Sequence, residues 1–156
     1  MDRLVRTAVD DEIATITLDS PGNRNALSKQ LVRELHEGLD EAEAADVRAI
    51  VVAHEGPAFC AGADLKERSD EPPDNSPFAT VMTRLMDTPR PTIAAVDGAV
   101  RAGGIGLMAS CDLAVVRRDV TFALTEVRIG VAAAMISVPI LRRVPPAKIA
   151  AAMLTG

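Results

Sequence analysis

A single α/β domain, with a parallel sheet and helical crossovers, is the fold class predicted for this chain of 156 residues. Three patterns predict it. Short continuous apolar runs at 49–53, 93–96 and 113–116 read as strands buried on both faces. Leu27, Leu31, Leu35 and Leu39 recur every four residues, the spacing of an amphipathic helix. Gly- and Pro-rich connections separate these segments, so strand and helix alternate along the chain.

The elements follow in order. Val5, Thr7 and Val9 share one face, and beyond the acidic turn 10–12 so do Ala14, Ile16 and Leu18, as in two strands joined by a short turn. Ser20-Pro21-Gly22-Asn23 ends the alternation, and Ser28 is placed to cap a leucine helix of about four turns. Gly56-Pro57 is a turn, and Pro72-Pro73-Asp74-Asn75-Ser76-Pro77 has the composition of a mobile surface loop. A helix over 78–86 stops at Pro89 and Pro91, and another follows Gly103-Gly104. From Ala134 the chain reads as helical with an interruption at Pro139, and Pro146 opens a last helix to Leu154. Thr155-Gly156 has the look of a helix C-cap in the middle of a fold, with no polar tail behind it. There is no internal repeat and no low-complexity tract.

Composition narrows the function. Seventeen Lys+Arg against 22 Asp+Glu give a net charge of −5, and 48% of residues are hydrophobic, enough for a core and outside the range of disordered chains. Only 2% are aromatic, three Phe with no Trp or Tyr, so the core is aliphatic and base-stacking platforms are missing. An acidic chain without a basic stripe is a poor nucleic-acid binder. Cys60 and Cys111 are too few and too far apart for a disulfide framework or a CxxC metal site, and read as small buried residues of a reduced compartment. With no signal-peptide run and no apolar stretch of about 18 residues, a soluble cytoplasmic protein without membrane partners is expected.

Chemistry is carried by two segments, Phe59-Cys60-Ala61-Gly62-Ala63-Asp64-Leu65-Lys66-Glu67 and Val96-Asp97-Gly98-Ala99-Val100-Arg101-Ala102-Gly103-Gly104-Ile105-Gly106. Each is expected to follow a buried strand and lead into a helix. Loops of small residues there leave peptide N–H groups exposed where the helix dipole adds partial positive charge. Two such loops facing each other would form an oxyanion hole. Gly104-Ile105-Gly106-Leu107-Met108-Ala109 also fits a dinucleotide-binding GxGxxG/A pattern with Glu126 about twenty residues on, but the first Gly lies several residues beyond Val96 rather than at the strand's end.

These segments, with Asn23-Arg24-Asn25-Ala26-Leu27, Cys111-Asp112-Leu113-Ala114 and Phe122-Ala123-Leu124-Thr125-Glu126-Val127-Arg128-Ile129-Gly130, resemble in order the crotonase superfamily, the enoyl-CoA hydratase/isomerase family. The resemblance implies a ClpP/crotonase-type spiral core of stacked strands and helices over residues 1–156, an N-terminal core domain truncated before the family's C-terminal helical region. It implies an acyl-CoA thioester as substrate, no separate cofactor and no metal, and a homo-oligomer, trimer or hexamer. The thioester oxygen would lie between the N–H groups of Ala63 and Gly103, with Gly104 beside them. Arg24, Ala26, Ala61, Asp64, Leu65 and Lys66 would line the CoA groove, Arg24 and Lys66 as phosphate partners. Family hydratases place two glutamates around the water; here those positions hold Gly106 and Glu126. The resemblance then implies an enoyl-CoA hydratase/isomerase-type enzyme with Glu126 as general acid/base, able to hydrate a 2-enoyl thioester if Glu126 alone manages the water. The alternatives are a 3-enoyl to 2-enoyl isomerase using Glu126 alone and a silent thioester-binding protein. His36, His54 and Cys60 are expected to be structural.

Overall fold

The computed structural model describes residues 2–67 and 74–156. Strands β1 (Val5–Asp10) and β2 (Ile13–Leu18) form an antiparallel hairpin. Asp11 and Glu12 both have positive φ, 46° and 61°, the conformation that matches a two-residue turn to strand twist. Helix α1 (Lys29–Ala44) starts at Ser28, whose Oγ accepts the Leu31 N–H at 3.2 Å. Its Leu31, Leu35 and Leu39 are buried against the sheet. Strand β3 (Ala49–His54) and the short β4 (Ala58–Cys60) precede helix α2 (Ser76–Asp87). Strands β5 (Thr92–Val96) and β6 (Ala99–Arg101) lead into helix α3 (Gly103–Ser110). Strands β7 (Leu113–Val116) and β8 (Phe122–Ala123) and helices α4 (Ala134–Arg143) and α5 (Pro146–Thr155) follow.

Two sheets result. The larger has the order β1-β2-β3-β5-β7, parallel from β2 onward, and the smaller has the order β4-β6-β8, parallel throughout. The core is aliphatic apart from Phe59 and Phe78, and Leu18, Ile50, Phe59 and Leu107 are fully enclosed. The buried Glu34 is answered by hydrogen bonds within the fold. The Glu34 carboxylate accepts the N–H groups of Leu4 and Val5 at 2.6 and 2.9 Å, and these bonds, with one from Gln30, outweigh burial and hold its pKa below the ordinary value.

Three expectations are corrected. The apolar run 113–116 is a strand, but all four residues of β7 are exposed, Leu113 at 61% and Val115 at 66%. β7 is the last strand of its sheet, and among the described residues no helix packs extensively on either of its faces. Pro139 does not interrupt α4, which runs through it with the ring buried at the cost of one backbone hydrogen bond. Ser76 and Pro77, expected in a loop, open α2; positions 72 and 73 of that stretch lie outside the described residues. Pro146 and Gly156 do open and cap α5. No helix among the described residues is long and apolar enough to cross a membrane.

Candidate active site

The small sheet positions the site. Its three strands are parallel, so the segments leaving β4, β6 and β8 emerge at one edge, the carboxyl edge where α/β sheets bind ligands. The first carries Ala61 to Asp64, the second Ala102 to Gly104, the third Glu126. The strands immediately before the two small-residue loops are thus β4 and β6, rather than β3 and β5. The first loop leads into a 3₁₀ turn, Leu65–Glu67, so only the second opens an α-helix.

The two loops do face each other. A methyl group built on Gly62 would lie 2.7 Å from Ala102 Cβ and 3.5 Å from the Gly103 nitrogen. One on Gly103 would lie 2.7 Å from Leu27 Cδ1 and 3.6 Å from Phe78 Cε1. Gly62 has φ of +87°, which admits glycine without strain. Gly104 is packed on β4, where an added methyl would meet Cys60 Cβ at 2.7 Å. The donors are free: among the described residues the N–H groups of Ala63 and Gly103 are spent on no backbone or side-chain acceptor. Ala102, at φ 48° and ψ −120°, occupies a region that side-chain-bearing residues avoid, and its ψ sets the direction of the next N–H, that of Gly103.

The Arg24 to Leu27 segment is zipped onto the first loop. Ala61 N donates to Arg24 O at 3.0 Å, Leu27 N to Gly62 O at 2.7 Å, and Asp64 N to Leu27 O at 3.4 Å. The residues assigned to a CoA groove, Arg24, Ala26, Ala61, Asp64, Leu65 and Lys66, are thereby neighbours. Arg24, Leu65 and Lys66 are exposed, while Ala26 is buried. Asp64 is spoken for, accepting the Lys66 N–H at 3.0 Å and the Asn23 amide at 3.1 Å.

Glu126 lies in a 3₁₀ turn, Thr125–Ile129, just beyond β8. It is half-buried; its Oε2 is enclosed yet meets no hydrogen-bond partner, and loss of solvent pushes its pKa up. The position of a second acid is closed. A Cβ on Gly106 would lie 2.5 Å from Ile136 Cγ2 and 3.1 Å from Met82 Sδ, so α4 packs directly onto the α3 backbone there. Burial raises the Cys60 thiol to about 12, leaving it no thiolate at neutral pH. His54 is tied to Asp97 (Nε2 to Oδ1, 2.8 Å) and His36 to the Pro77 carbonyl (2.9 Å). An apolar groove of about 370 Å³, lined by Ile105, Met108, Leu113, Phe122, Leu124 and Ile140 among others, is bordered by none of Ala63, Gly103 and Glu126.

Sequence reasoning passed over three features that shape the site: the strained Ala102, the Ile136 plug and the buried Asn25. An Asn inside a turn reads as a turn former, and nothing in the sequence announces a positive φ at an alanine.

A spiral of strands and helices whose paired loops offer backbone donors at a sheet edge is the architecture of the crotonase fold, and solved structures superpose on it. An enoyl-CoA hydratase from Mycobacterium smegmatis matches with a TM-score of 0.92 at 36% identity, covering 99% of this chain and 63% of its own. One from Mycobacterium avium gives 0.87 at 44% identity, covering 100% and 64%. In sequence, the mouse enoyl-CoA hydratase domain-containing protein 3, mitochondrial, is 38% identical over 159 residues, 97% of this chain and 53% of that protein. The enoyl-CoA hydratase/isomerase family profile matches residues 8–156. The chain therefore belongs to the enoyl-CoA hydratase/isomerase family of the crotonase superfamily. It spans 50–60% of the length of the curated relatives it matches most strongly.

Proposed function

We propose that the chain binds an enoyl-CoA thioester and moves a proton on its acyl group, with the N–H groups of Ala63 and Gly103 holding the thioester oxygen and Glu126 as general acid/base. The observation that carries this reading is the Glu126 carboxylate, with an enclosed and unpartnered oxygen, following the third strand of the sheet whose first two strands end in the donor loops. As a proton leaves carbon 2, the C–H electrons move onto the thioester oxygen as an enolate. Donors already oriented there need no reorganisation, and one such donor is worth about 10² to 10³ in rate. The raised pKa of Glu126 suits it to take a proton and give it back. Arg24 and Lys66 would receive CoA phosphates.

Within this chemistry the plug at Gly106 favours a single-carboxylate reaction, 3-enoyl to 2-enoyl isomerisation. Glu126 takes a proton from carbon 2, the 3,4 double bond joins the enolate, and the same proton returns at carbon 4 as the 2,3 double bond forms. No oxidant, metal or water is consumed. Hydration of a 2-enoyl thioester by Glu126 alone is the slower relative of this step. The exposed apolar surface on β7 and α4 fits burial between copies in a homo-oligomer.

The test is the ultraviolet absorbance of the conjugated thioester. A 3-enoyl-CoA mixed with the chain should gain conjugated absorbance, and Glu126→Gln should slow that gain by about 10² to 10⁴. Conversion of a 2-enoyl-CoA faster than of the 3-enoyl isomer would establish a hydratase instead. Tight binding with no change in either substrate would leave a silent thioester binder.

A further inference from the structure

We infer that Asn25 is a positioning residue for the Ala63 donor, an inference that rests on the oxyanion reading above. Asn25 is fully buried, 0% exposed, with φ of 54°. Its side chain bridges two stretches far apart in sequence. Oδ1 accepts the Ser20 N–H at 2.7 Å, while Nδ2 donates to Glu55 O at 3.0 Å and Ala58 O at 2.8 Å. Two carbonyl acceptors on one atom and an N–H donor on the other leave only one orientation of the amide.

The consequence reaches the site through the backbone. Asn25 fastens its own segment to the entrance of β4, at Ala58. The main chain on either side of it fastens to the exit of β4, through Arg24 O with Ala61 N and Leu27 N with Gly62 O. The loop bearing Ala63 is therefore attached to one rigid clip at both ends of a three-residue strand. With the side chain gone, the main-chain zipper can slide or tilt against β4, and the Ala63 N–H moves while the chain stays folded. Asn25 touches no substrate in this account; it fixes the direction of a group that does.

The experiment uses the full chain with Asn25→Ala and Asn25→Asp, assayed on whichever enoyl-CoA the wild type turns over, with circular dichroism at 10 °C as the check on folding. Asn25→Ala should stay folded and lose about 10² in kcat, the scale of a misplaced catalytic group, with a smaller rise in KM from the displaced Arg24. Asn25→Asp puts an acceptor oxygen against two carbonyls, and only its protonated form can donate to one of them. Its kcat relative to wild type should therefore rise as pH falls, whereas wild-type turnover should rise with pH as Glu126 ionises. A folded Asn25→Ala with wild-type kcat overturns the inference, as does an Asn25→Asp profile parallel to the wild type. Failure of Asn25→Ala to fold at 10 °C makes the residue a folding determinant and also overturns it. A wild type without turnover removes the proton-transfer reading on which this inference rests, and is told apart from an active wild type whose folded Asn25→Ala keeps full kcat, which removes this inference alone.

Discussion

The two ends of the molecule treat their surfaces differently. Around the donor loops, every segment is fastened by main-chain bonds, and the Arg24 to Leu27, Ala61 to Asp64 and Ala102 to Gly104 stretches converge within van der Waals distance. From β7 to α5, apolar side chains stand open: Val115 and Val138 are more than half exposed, and Leu154 is 73% exposed. The difference teaches what local packing settles and what it does not. The peptide N–H groups of Ala63 and Gly103 are positioned by neighbouring main chain, whereas the apolar side chains of β7, α4 and α5 have no comparable cover among the described residues. Glu126 sits between the two regimes, on a turn that packs against α5.

The comparison breaks most visibly at Gly103. Gly103→Val drives a side chain into Leu27 and the donor gap, so turnover should fall by at least about 10² to 10³ while the protein stays soluble and folded. Turnover at the wild-type rate would detach the chemistry from the donor loops. Next in size is Ala102→Gly. Glycine relaxes a backbone that alanine holds under strain, and thermal unfolding should show a gain of about 1 kcal/mol; no gain would mean that the positive φ carries no strain. The smallest effect concerns Glu126 and pH. Its folded pKa is raised by desolvation, so the carboxylate stabilises the fold when protonated, at pH below the ordinary Glu value, and that contribution is lost as pH rises through the folded pKa. Glu126→Gln should therefore melt slightly above the wild type at pH 7.5, and the gap should close below about pH 4. Equal melting temperatures at both pH values would place the carboxylate in bulk water.

Long elements were legible because periodicity needs length. The hairpin of β1 and β2, the leucine helix α1 and the buried runs of β3 and β5 follow from spacing alone. Strands β4, β6 and β8 have three, three and two residues, too few to alternate, so the small sheet that organises the site was invisible. Strand β7 shows the converse: its apolar run has the composition of a buried strand, but no helix among the described residues packs extensively over it. The donor loops announced themselves by their small residues, and the resemblance pointed to Ala63, Gly103 and Glu126. Asn25 did not announce itself because its partners, Glu55 and Ala58, lie 30 and 33 residues away. The Ile136 plug is equally silent, since an isoleucine on a helix says nothing of the glycine it will meet.

The most direct measurement is the infrared carbonyl stretch of an enoyl-CoA thioester bound to the wild-type chain and to Gly103→Val. It reads polarisation of the thioester oxygen whether or not a reaction follows. The account predicts a shift to lower frequency on binding to the wild type and its loss in Gly103→Val. A bound thioester whose carbonyl stretches as it does in water, in the wild type itself, would contradict the assignment of Ala63 and Gly103 as its oxyanion donors.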